Sequence, residues 1–249
     1  MPAIALILLF LSPWLTGAAL AERVQVAVAA NFASTFQAIE RDFEAATGHE
    51  VVAIVGSTGK LQAQVRAGAP FEVLLAADDE TPRKLIDDGL AVAGSSFTYA
   101  IGKLALWSAR PGFVDDQGAV LRQARFAHLA IANPKLAPYG AAALEALRAL
   151  GLAESLAPRI VQGESVAQAL QFVSTGNAEL GFVALSQVQQ PGKPATGSLW
   201  LVPAHLHAPL RQDAVLLKPG AGKPAALALL RHLRTDAVKA MIRAHGHEL

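Results

Sequence analysis

The residues of this sequence best suited to chemistry lie in short polar segments between apolar runs. One of them, VGSTGKLQA at residues 55–63, partly matches the phosphate loop of nucleotide-binding proteins, which requires G-x-x-x-x-G-K followed by Ser or Thr. The opening glycine of that motif is missing, and Leu61 follows Lys60 where the hydroxyl for Mg²⁺ should stand. The nucleotide interpretation therefore fails, and a turn that binds a different anion is the alternative.

Three further segments have the same character as the GSTG turn. Asn31 follows VQVAVAA, Pro138-Tyr139-Gly140 follows LAIANPKLA, and Ser165-Val166 precedes AQALQFV. Each stands where a strand ends and a helix begins, and a helix N-terminus presents unpaired N–H groups and about half a positive charge. A single such turn is explained equally well by ordinary helix capping. Four together predict one anion site.

Uncharged donors define the kind of anion that such a site prefers. A fully deprotonated tetrahedral oxyanion only accepts hydrogen bonds, whereas protonated phosphate directs a hydroxyl at donors that cannot accept it. Roughly six charge-assisted hydrogen bonds at ~1.5 to 3 kcal/mol each give ~10 to 18 kcal/mol before desolvation and ordering costs. Binding therefore requires no Arg or Lys, and Lys60 is interpreted as a solvated surface residue.

Composition excludes several other classes of protein. The chain has 249 residues, of which 53% are hydrophobic, and a formal net charge of +1, so it predicts a large core and no basic surface for nucleic acid. It has no cysteine, which excludes disulfides, thiolate metal ligands and a cysteine nucleophile. The histidine pairs His205/His207 and His245/His247 are interpreted as surface or tail residues rather than as a zinc site.

The N-terminus predicts export. Residues 1–21, MPAIALILLFLSPWLTGAALA, form an apolar stretch that ends in Ala-Leu-Ala, as the small-x-small rule for a secretory signal peptide requires. Pro13 and Gly17 interrupt the run, which disfavours a retained membrane anchor. The mature chain is therefore expected to begin near Glu22 and to be periplasmic.

The apolar patterning predicts an α/β fold. Strands at Val24–Ala30, Glu50–Val55 and Phe71–Ala77 alternate with helices, and a second such series begins at Lys103. Alternating strands and helices favour mainly parallel sheets covered on both faces, with ligands at the carboxyl ends of the strands. Further boundaries are predicted for helices at Lys60–Ala67 and Ala141–Leu150 and for strands at Trp200–Pro203 and Asp213–Leu217.

Two lobes fit this pattern better than one. The first is predicted to comprise residues 22–100 plus 208–249, and the second residues 101–207, with the ligand in the cleft between them. The last two helices are expected to return to the first lobe.

Several motifs resemble one known family, in order and at similar spacing. The segments AVAANFAST, VGSTGKLQAQVRAGAPFEVLLAADD, IANPKLAPYG and LGFVALSQ are similar to those of the periplasmic molybdate-binding proteins of ABC importers. The resemblance covers residues 24–249. It implies a type II periplasmic binding protein fold, in which two α/β lobes close over one oxyanion.

The resemblance also implies the ligand residues. In the first lobe they fall on Asn31, Ser57 and Thr58, and in the second on Tyr139 and the backbone N–H of Val166. Ala30 and Ala184 are further candidates; one branch of the family has a tyrosine at the Ala184 position, and here its hydroxyl is missing. Another branch supplies that donor from a tyrosine at the Tyr139 position.

The sequence thus predicts a receptor without cofactor or catalytic residues that captures molybdate or tungstate, with molybdenum held only as the oxyanion. Its expected partner is a membrane permease, without nucleic acid and with the chain as a monomer. Two alternatives stay open: the same fold tuned to sulfate or another tetrahedral oxyanion, and an enzyme acting on a small anionic ester. Against the enzyme, no Ser-His-Asp arrangement is recognisable, and the adjacent Asp78 and Asp79 should point to opposite faces of a strand. A ligand-sensing domain of a regulator is disfavoured because no DNA-binding segment is present.

Overall fold

The computed structural model describes residues 21–189, 191–192 and 196–249; of the predicted signal peptide, residues 1–20 lie outside this range. The described residues form ten strands: β1 (Arg23–Ala29), β2 (Glu50–Gly56), β3 (Val73–Leu75), β4 (Phe97–Gly102), β5 (Leu104–Ser108), β6 (Leu129–Ala132), β7 (Ile160–Gly163), β8 (Leu180–Ala184), β9 (Ser198–Leu201) and β10 (Leu210–Leu216).

The same residues form ten α-helices: α1 (Ala33–Thr47), α2 (Thr58–Arg66), α3 (Glu80–Asp87), α4 (Val120–Gln123), α5 (Pro138–Ala149), α6 (Ala153–Leu156), α7 (Val166–Ser174), α8 (Leu185–Val188), α9 (Pro224–His232) and α10 (Asp236–Ala244). A 3₁₀ turn, Ala30–Phe32, connects β1 directly to α1. In the described ranges, no helix combines the length and the hydropathy needed to cross a bilayer.

The strands form two five-stranded sheets of the same design. The first has the order β2-β1-β3-β10-β4 and the second the order β7-β6-β8-β5-β9. In each sheet four strands run in one direction and one runs against them, β10 in the first sheet and β5 in the second. Helices that follow parallel strands must begin at the same edge of the sheet, so each sheet collects helix N-termini along one edge.

The chain passes between the sheets twice. Lys103 alone separates β4 in the first sheet from β5 in the second, and residues 202–209 lead from β9 back to β10. After β10 the chain stays with the first sheet, because Leu229, Val238 and Ile242 of the last two helices belong to the same buried cluster as Val26 of β1.

Buried apolar residues cover both faces of each sheet. In the first sheet, one face packs against α1, α9 and α10 and the other against α2 and α3. In the second sheet, α5 packs on one face and α7 on the other. Within α1, the residues Phe36, Ile39 and Phe43 are buried at the spacing expected for one face of a helix. The helix ends at Gly48, whose φ of 72° is the left-handed conformation that favours glycine.

Some predicted boundaries were wrong. Helix α2 begins at Thr58 rather than Lys60, and α5 begins at Pro138 rather than Ala141, because the helices start in the first residues of the polar turns. The strand predicted at 200–203 lies at Ser198–Leu201, the one predicted at 213–217 begins at Leu210, and β4 was not predicted.

The interpretation of His247 as a surface residue was also wrong. Its ring is buried against the ring of Phe32, with centroids 5.2 Å apart, and its Nε2 lies 3.3 Å from Thr35 Oγ1. The chain after α10 folds back onto β4, where Glu248 and Ile101 exchange backbone hydrogen bonds. This pairing carries the preceding histidine into the core.

Candidate functional site

Four helix N-termini meet at the edges of the two sheets. Strands β1 and β2 are parallel neighbours whose last residues, Ala29 and Gly56, pair with each other, so the turns that lead into α1 and α2 lie side by side. Strands β6 and β7 end in the same way with the pair Ala132 and Gly163, ahead of α5 and α7. The sequence-predicted turns are therefore brought together two by two.

A small cavity lies where these two pairs of turns face each other. It is lined by uncharged residues only: Ala29, Ala30, Asn31, Ser57, Thr58, Ala77, Ala137, Pro138, Tyr139 and Val166. The five predicted ligand residues all line it, as does Ala30. They come from both sheets, so a guest in this cavity would contact both halves of the molecule.

Ser57 is the most informative residue of the cavity. It occupies the N-cap position of α2 with the extended backbone typical of a capping residue, yet its side chain makes no capping hydrogen bond. The side chain is 4% exposed, and its Oγ has no hydrogen-bond partner among the described residues. A buried hydroxyl without a partner costs ~1 to 3 kcal/mol, so helix capping does not explain this serine.

Thr58 is held by the first sheet. Its Oγ1 accepts a hydrogen bond of 3.0 Å from the backbone N–H of Ala77, which follows β3. Because a hydroxyl carries one proton as well as two lone pairs, this contact leaves the proton of Thr58 free to be donated. The side chain is buried and lines the cavity, so that proton is available to a molecule bound there.

Asn31 and Tyr139 are anchored by a third side chain. Asn31 donates from Nδ2 to Oε1 of Gln212 over 2.9 Å, and the hydroxyl of Tyr139 accepts from Nε2 of Gln212 over 3.4 Å. Burial raises the pKa of the Tyr139 hydroxyl above its usual value. The phenol therefore stays protonated and neutral throughout the physiological range.

Val166 lines the cavity at the N-terminus of α7. It is the first residue of α7, and the first N–H groups of a helix have no partner within it. Ser165, the residue before it, behaves as an ordinary N-cap, because its Oγ accepts from the N–H of Gln168 over 3.4 Å. The structure thus separates the two N-cap serines: one caps its helix, and the other, Ser57, does not.

Direct contacts join the two halves around the cavity. The N–H of Gly59 in α2 donates to the carbonyl of Leu136 over 2.9 Å, and Ser186 Oγ in α8 donates to the carbonyl of Asn31 over 2.8 Å. A Cβ atom on Gly59 would lie 3.0 Å from the Leu136 oxygen, so glycine permits the close approach. The cleft is closed in this structure.

A salt bridge crosses the rim of the cleft. Lys60 Nζ lies 3.1 Å from a carboxylate oxygen of Glu164, and the two side chains are 54% and 61% exposed. Lys60 is thus a surface residue, as the sequence predicts, and it additionally spans the two halves. An ion pair this exposed contributes ~0 to 1 kcal/mol.

Two sequence-predicted features lie elsewhere. Ala184 is fully buried at the end of β8 and is absent from the cavity wall, and its N–H already donates to Gln187 Oε1 over 3.0 Å. Asp78 is not in a strand, since β3 ends at Leu75; its carboxylate accepts from the N–H of Thr81 over 2.7 Å and caps α3. Burial raises the pKa of Asp78, while its hydrogen bonds with Thr81 oppose that rise.

Sequence reasoning missed Gln212. This fully buried residue of β10 contacts both Asn31 and Tyr139. The available signal was a lone uncharged polar residue in the run LRQDAVLL; because the strand was predicted to begin at Asp213, Gln212 fell just outside it.

Known proteins share both the sequence and the fold. A family model described as bacterial extracellular solute-binding protein matches residues 24–248. The molybdate-binding protein ModA of Azotobacter vinelandii is 57% identical over 232 residues, which cover 93% of this chain and 92% of that protein. The molybdate-binding protein ModA of Rhodobacter capsulatus is 51% identical, over 92% of this chain and 89% of its own.

A solved structure shows the same similarity at the level of the fold. The periplasmic molybdate-binding protein of Azotobacter vinelandii superimposes with a TM-score of 0.89 at 43% identity, and the match covers 91% of this chain and 99% of the other. The similarity therefore extends over both sheets and the cavity between them.

Proposed function

This chain belongs to the family of bacterial extracellular solute-binding proteins, and we propose that it is the substrate-binding component of a molybdate ABC importer. The two relatives described above, which are 57% and 51% identical to this chain, are both named molybdate-binding proteins. The finer parts of the proposal concern the residues that hold the anion, the range of anions and the partner.

The unpartnered hydroxyl of Ser57 is the observation that carries the site assignment. Its Oγ is buried in a cavity that has no charged side chain, beside four helix N-termini. Hydrogen-bond donors and helix N-termini in a region of low dielectric stabilise a negative charge, and an anion would satisfy a hydroxyl that has no partner among the described residues. We therefore assign Asn31, Ser57, Thr58, Tyr139 and the N–H of Val166 as ligands of the oxyanion.

The neutral wall supports a deprotonated oxyanion over an ester substrate. Hydrolysis of an ester by a serine needs a base within hydrogen-bond reach of the hydroxyl. Ser57 Oγ has no such neighbour among the described residues, and the nearby carboxylate of Asp78 caps α3. The site is equipped to bind a small dianion by donating protons to it.

Tungstate belongs in the same proposal because it has the same tetrahedral shape and charge as molybdate and a nearly equal size. Sulfate has the shape and charge but is smaller, so donors placed at the distance suited to molybdate reach it less well. The predicted lobe one (22–100 plus 208–249) extends to residue 102, because β4 of the first sheet ends at Gly102. We propose that this lobe and lobe two, predicted as residues 101–207, close over the anion. The protein would work in the periplasm as a monomer and deliver the anion to a membrane permease.

Isothermal titration of the purified chain tests the proposal with four sodium salts: molybdate, tungstate, sulfate and phosphate. We expect one site per chain, similar affinities for molybdate and tungstate, and affinities at least a hundredfold weaker for sulfate and phosphate. Equal binding of sulfate and molybdate would overturn the choice of anion. Absence of molybdate binding by a folded chain would overturn the function.

A further inference from the structure

Gln212 occupies a central position between the two lobes. It is fully buried on β10, the reversed strand of the first sheet, which the chain enters after its second passage between the sheets. Its carbonyl oxygen contacts Asn31 of the first lobe, and its amide nitrogen contacts Tyr139 of the second. One side chain therefore touches a proposed ligand residue from each side of the cleft.

The amide of Gln212 has a definite orientation. Asn31 Nδ2 lies 2.9 Å from Oε1 of Gln212, so in this arrangement Asn31 donates and Gln212 accepts. The NH₂ group then faces Tyr139, and since an amide nitrogen only donates, the tyrosine oxygen must accept. The Tyr99 hydroxyl has one proton, which is shared between two acceptors, the carbonyl of Ala76 at 2.9 Å and Oε1 of Gln212 at 3.2 Å.

This orientation determines which protons of Asn31 and Tyr139 remain available for hydrogen bonds to a bound anion. A tyrosine hydroxyl has a single proton, and because its oxygen accepts from Gln212, that proton is left to point elsewhere. The Asn31 amide has two N–H bonds, of which Gln212 takes one. Both residues line the cavity, so each retains a proton that it can donate there.

Tight packing keeps the arrangement in place. A Cβ atom on Gly102, at the end of β4, would lie 2.1 Å from the Tyr139 hydroxyl and 2.5 Å from Gln212 Nε2. The residue just before the first passage between the lobes is thus a glycine where any side chain would push the tyrosine and the glutamine aside.

We propose that Gln212 is a positioning residue that makes Asn31 and Tyr139 obligate proton donors towards the bound oxyanion, and so favours anions that carry no proton. The proposal rests on the function proposed above. It adds a residue that does not line the cavity but determines the polarity of two residues that do.

Two substitutions change this polarity in different ways. Gln212→Glu replaces the donating nitrogen with a carboxylate oxygen, which accepts the Tyr139 proton and withdraws it from the anion. We expect molybdate affinity to fall at least a hundredfold. Gln212→Met keeps the length of the side chain without a hydrogen bond, so Tyr139 loses its orientation but not its proton, and a loss of roughly tenfold is expected.

Selectivity separates this role from a general effect on folding. At about pH 8 phosphate is a dianion that still carries one proton, so it matches molybdate in charge and differs in the proton. In Gln212→Glu the tyrosine oxygen is free to accept from that proton, and the preference for molybdate over phosphate should shrink at least tenfold. A general loss of protein stability would instead lower the affinities for molybdate and phosphate by the same factor.

The closing experiment is a double-mutant cycle. Molybdate affinity is measured by titration for wild type, Gln212→Met, Tyr139→Phe and the double variant. Thermal unfolding of each ligand-free protein checks that it is folded. We expect Gln212→Met to cost at least threefold less affinity in the Tyr139→Phe background, where there is no hydroxyl to orient. Equal costs in both backgrounds, with an unchanged selectivity in Gln212→Glu, overturn the positioning role. Should the methionine variant not fold, the same cycle is run with Gln212→Glu. Failure of the wild type to bind molybdate overturns the proposed function instead, so the two failures are distinct.

Discussion

Replacing Ser57 with alanine should weaken anion binding without destabilising the free protein. The Ser57 hydroxyl is buried and makes no hydrogen bond within the described residues, so its removal takes nothing from the empty chain. The alanine variant also lacks a buried, unpaired hydroxyl that costs the ligand-free wild type ~1 to 3 kcal/mol of stability. In the complex the same hydroxyl would donate to a dianion, a contact that contributes ~1.5 to 3 kcal/mol. The dissociation constant for molybdate should therefore rise by about 10- to 150-fold.

Ser165→Ala provides the matched control. Both serines are N-caps of nine-residue helices, but Ser165 does accept a hydrogen bond, from the N–H of Gln168. Loss of this cap should destabilise the free protein by ~0.5 to 2 kcal/mol. For a chain of this size that lowers the melting temperature by roughly 1 to 8 °C, while molybdate affinity stays within about threefold of wild type. The two serines should thus show opposite patterns.

Calorimetric titration and thermal unfolding of the two ligand-free variants supply both quantities. The reasoning is refuted if Ser57→Ala binds molybdate as tightly as wild type, or if it lowers the melting temperature of the free protein as much as Ser165→Ala does. Either result would make Ser57 a capping residue after all.

Three other perturbations have expected outcomes. Thr58→Ala removes both the acceptor for the Ala77 N–H and a donor to the anion, so it should lower stability and affinity by ~1 to 3 kcal/mol each, whereas Thr58→Ser should retain most of both; unfolding and titration of the pair check this, and equal losses in the two variants would contradict it. Lys60→Ala breaks an exposed ion pair with Glu164 and should weaken molybdate binding by no more than about fivefold; the difference from wild type should vanish in concentrated salt, and a larger, salt-independent loss would mean that Lys60 touches the anion. Burial, with a smaller contribution from His245, lowers the pKa of His247 to about 4, below the ~6.5 of an exposed histidine. Between these values the unfolded chain holds a proton that the folded chain does not, so this residue should lower the unfolding free energy by ~3 kcal/mol as the pH falls from about 6.5 to 4. His247→Phe should flatten the profile measured by denaturant unfolding, and an unchanged slope would show that the ring is not kept neutral.

The sequence was sufficient to predict the strand-turn-helix units because their patterns are local. Apolar spacing at Phe36, Ile39 and Phe43 and a glycine at position 48 are local signals of α1, and the structure has a helix there that ends at that glycine. Sheet order and the placement of four turns around one cavity depend on contacts between residues far apart in sequence, and those required the structure.

The functional residues divide in the same way. Ser57 and Tyr139 could be proposed as site residues from the sequence because helix N-termini after buried strands have a recognisable composition, and both line the cavity. Gln212 could not, because it is 181 residues from Asn31 and nothing near it in sequence indicates what it contacts. His247 was misjudged for the same reason: a chain end with two histidines reads as a tail until the pairing of Glu248 with Ile101 is known.

The residues that line the cavity come from both sheets, and this bears on how a bound anion would be released. Asn31, Ser57 and Thr58 belong to one half and Tyr139 and Val166 to the other. If these residues hold the anion as proposed, moving the halves apart would separate the two sets of ligands in one step. Release would then require neither a change in pH nor a competing ion.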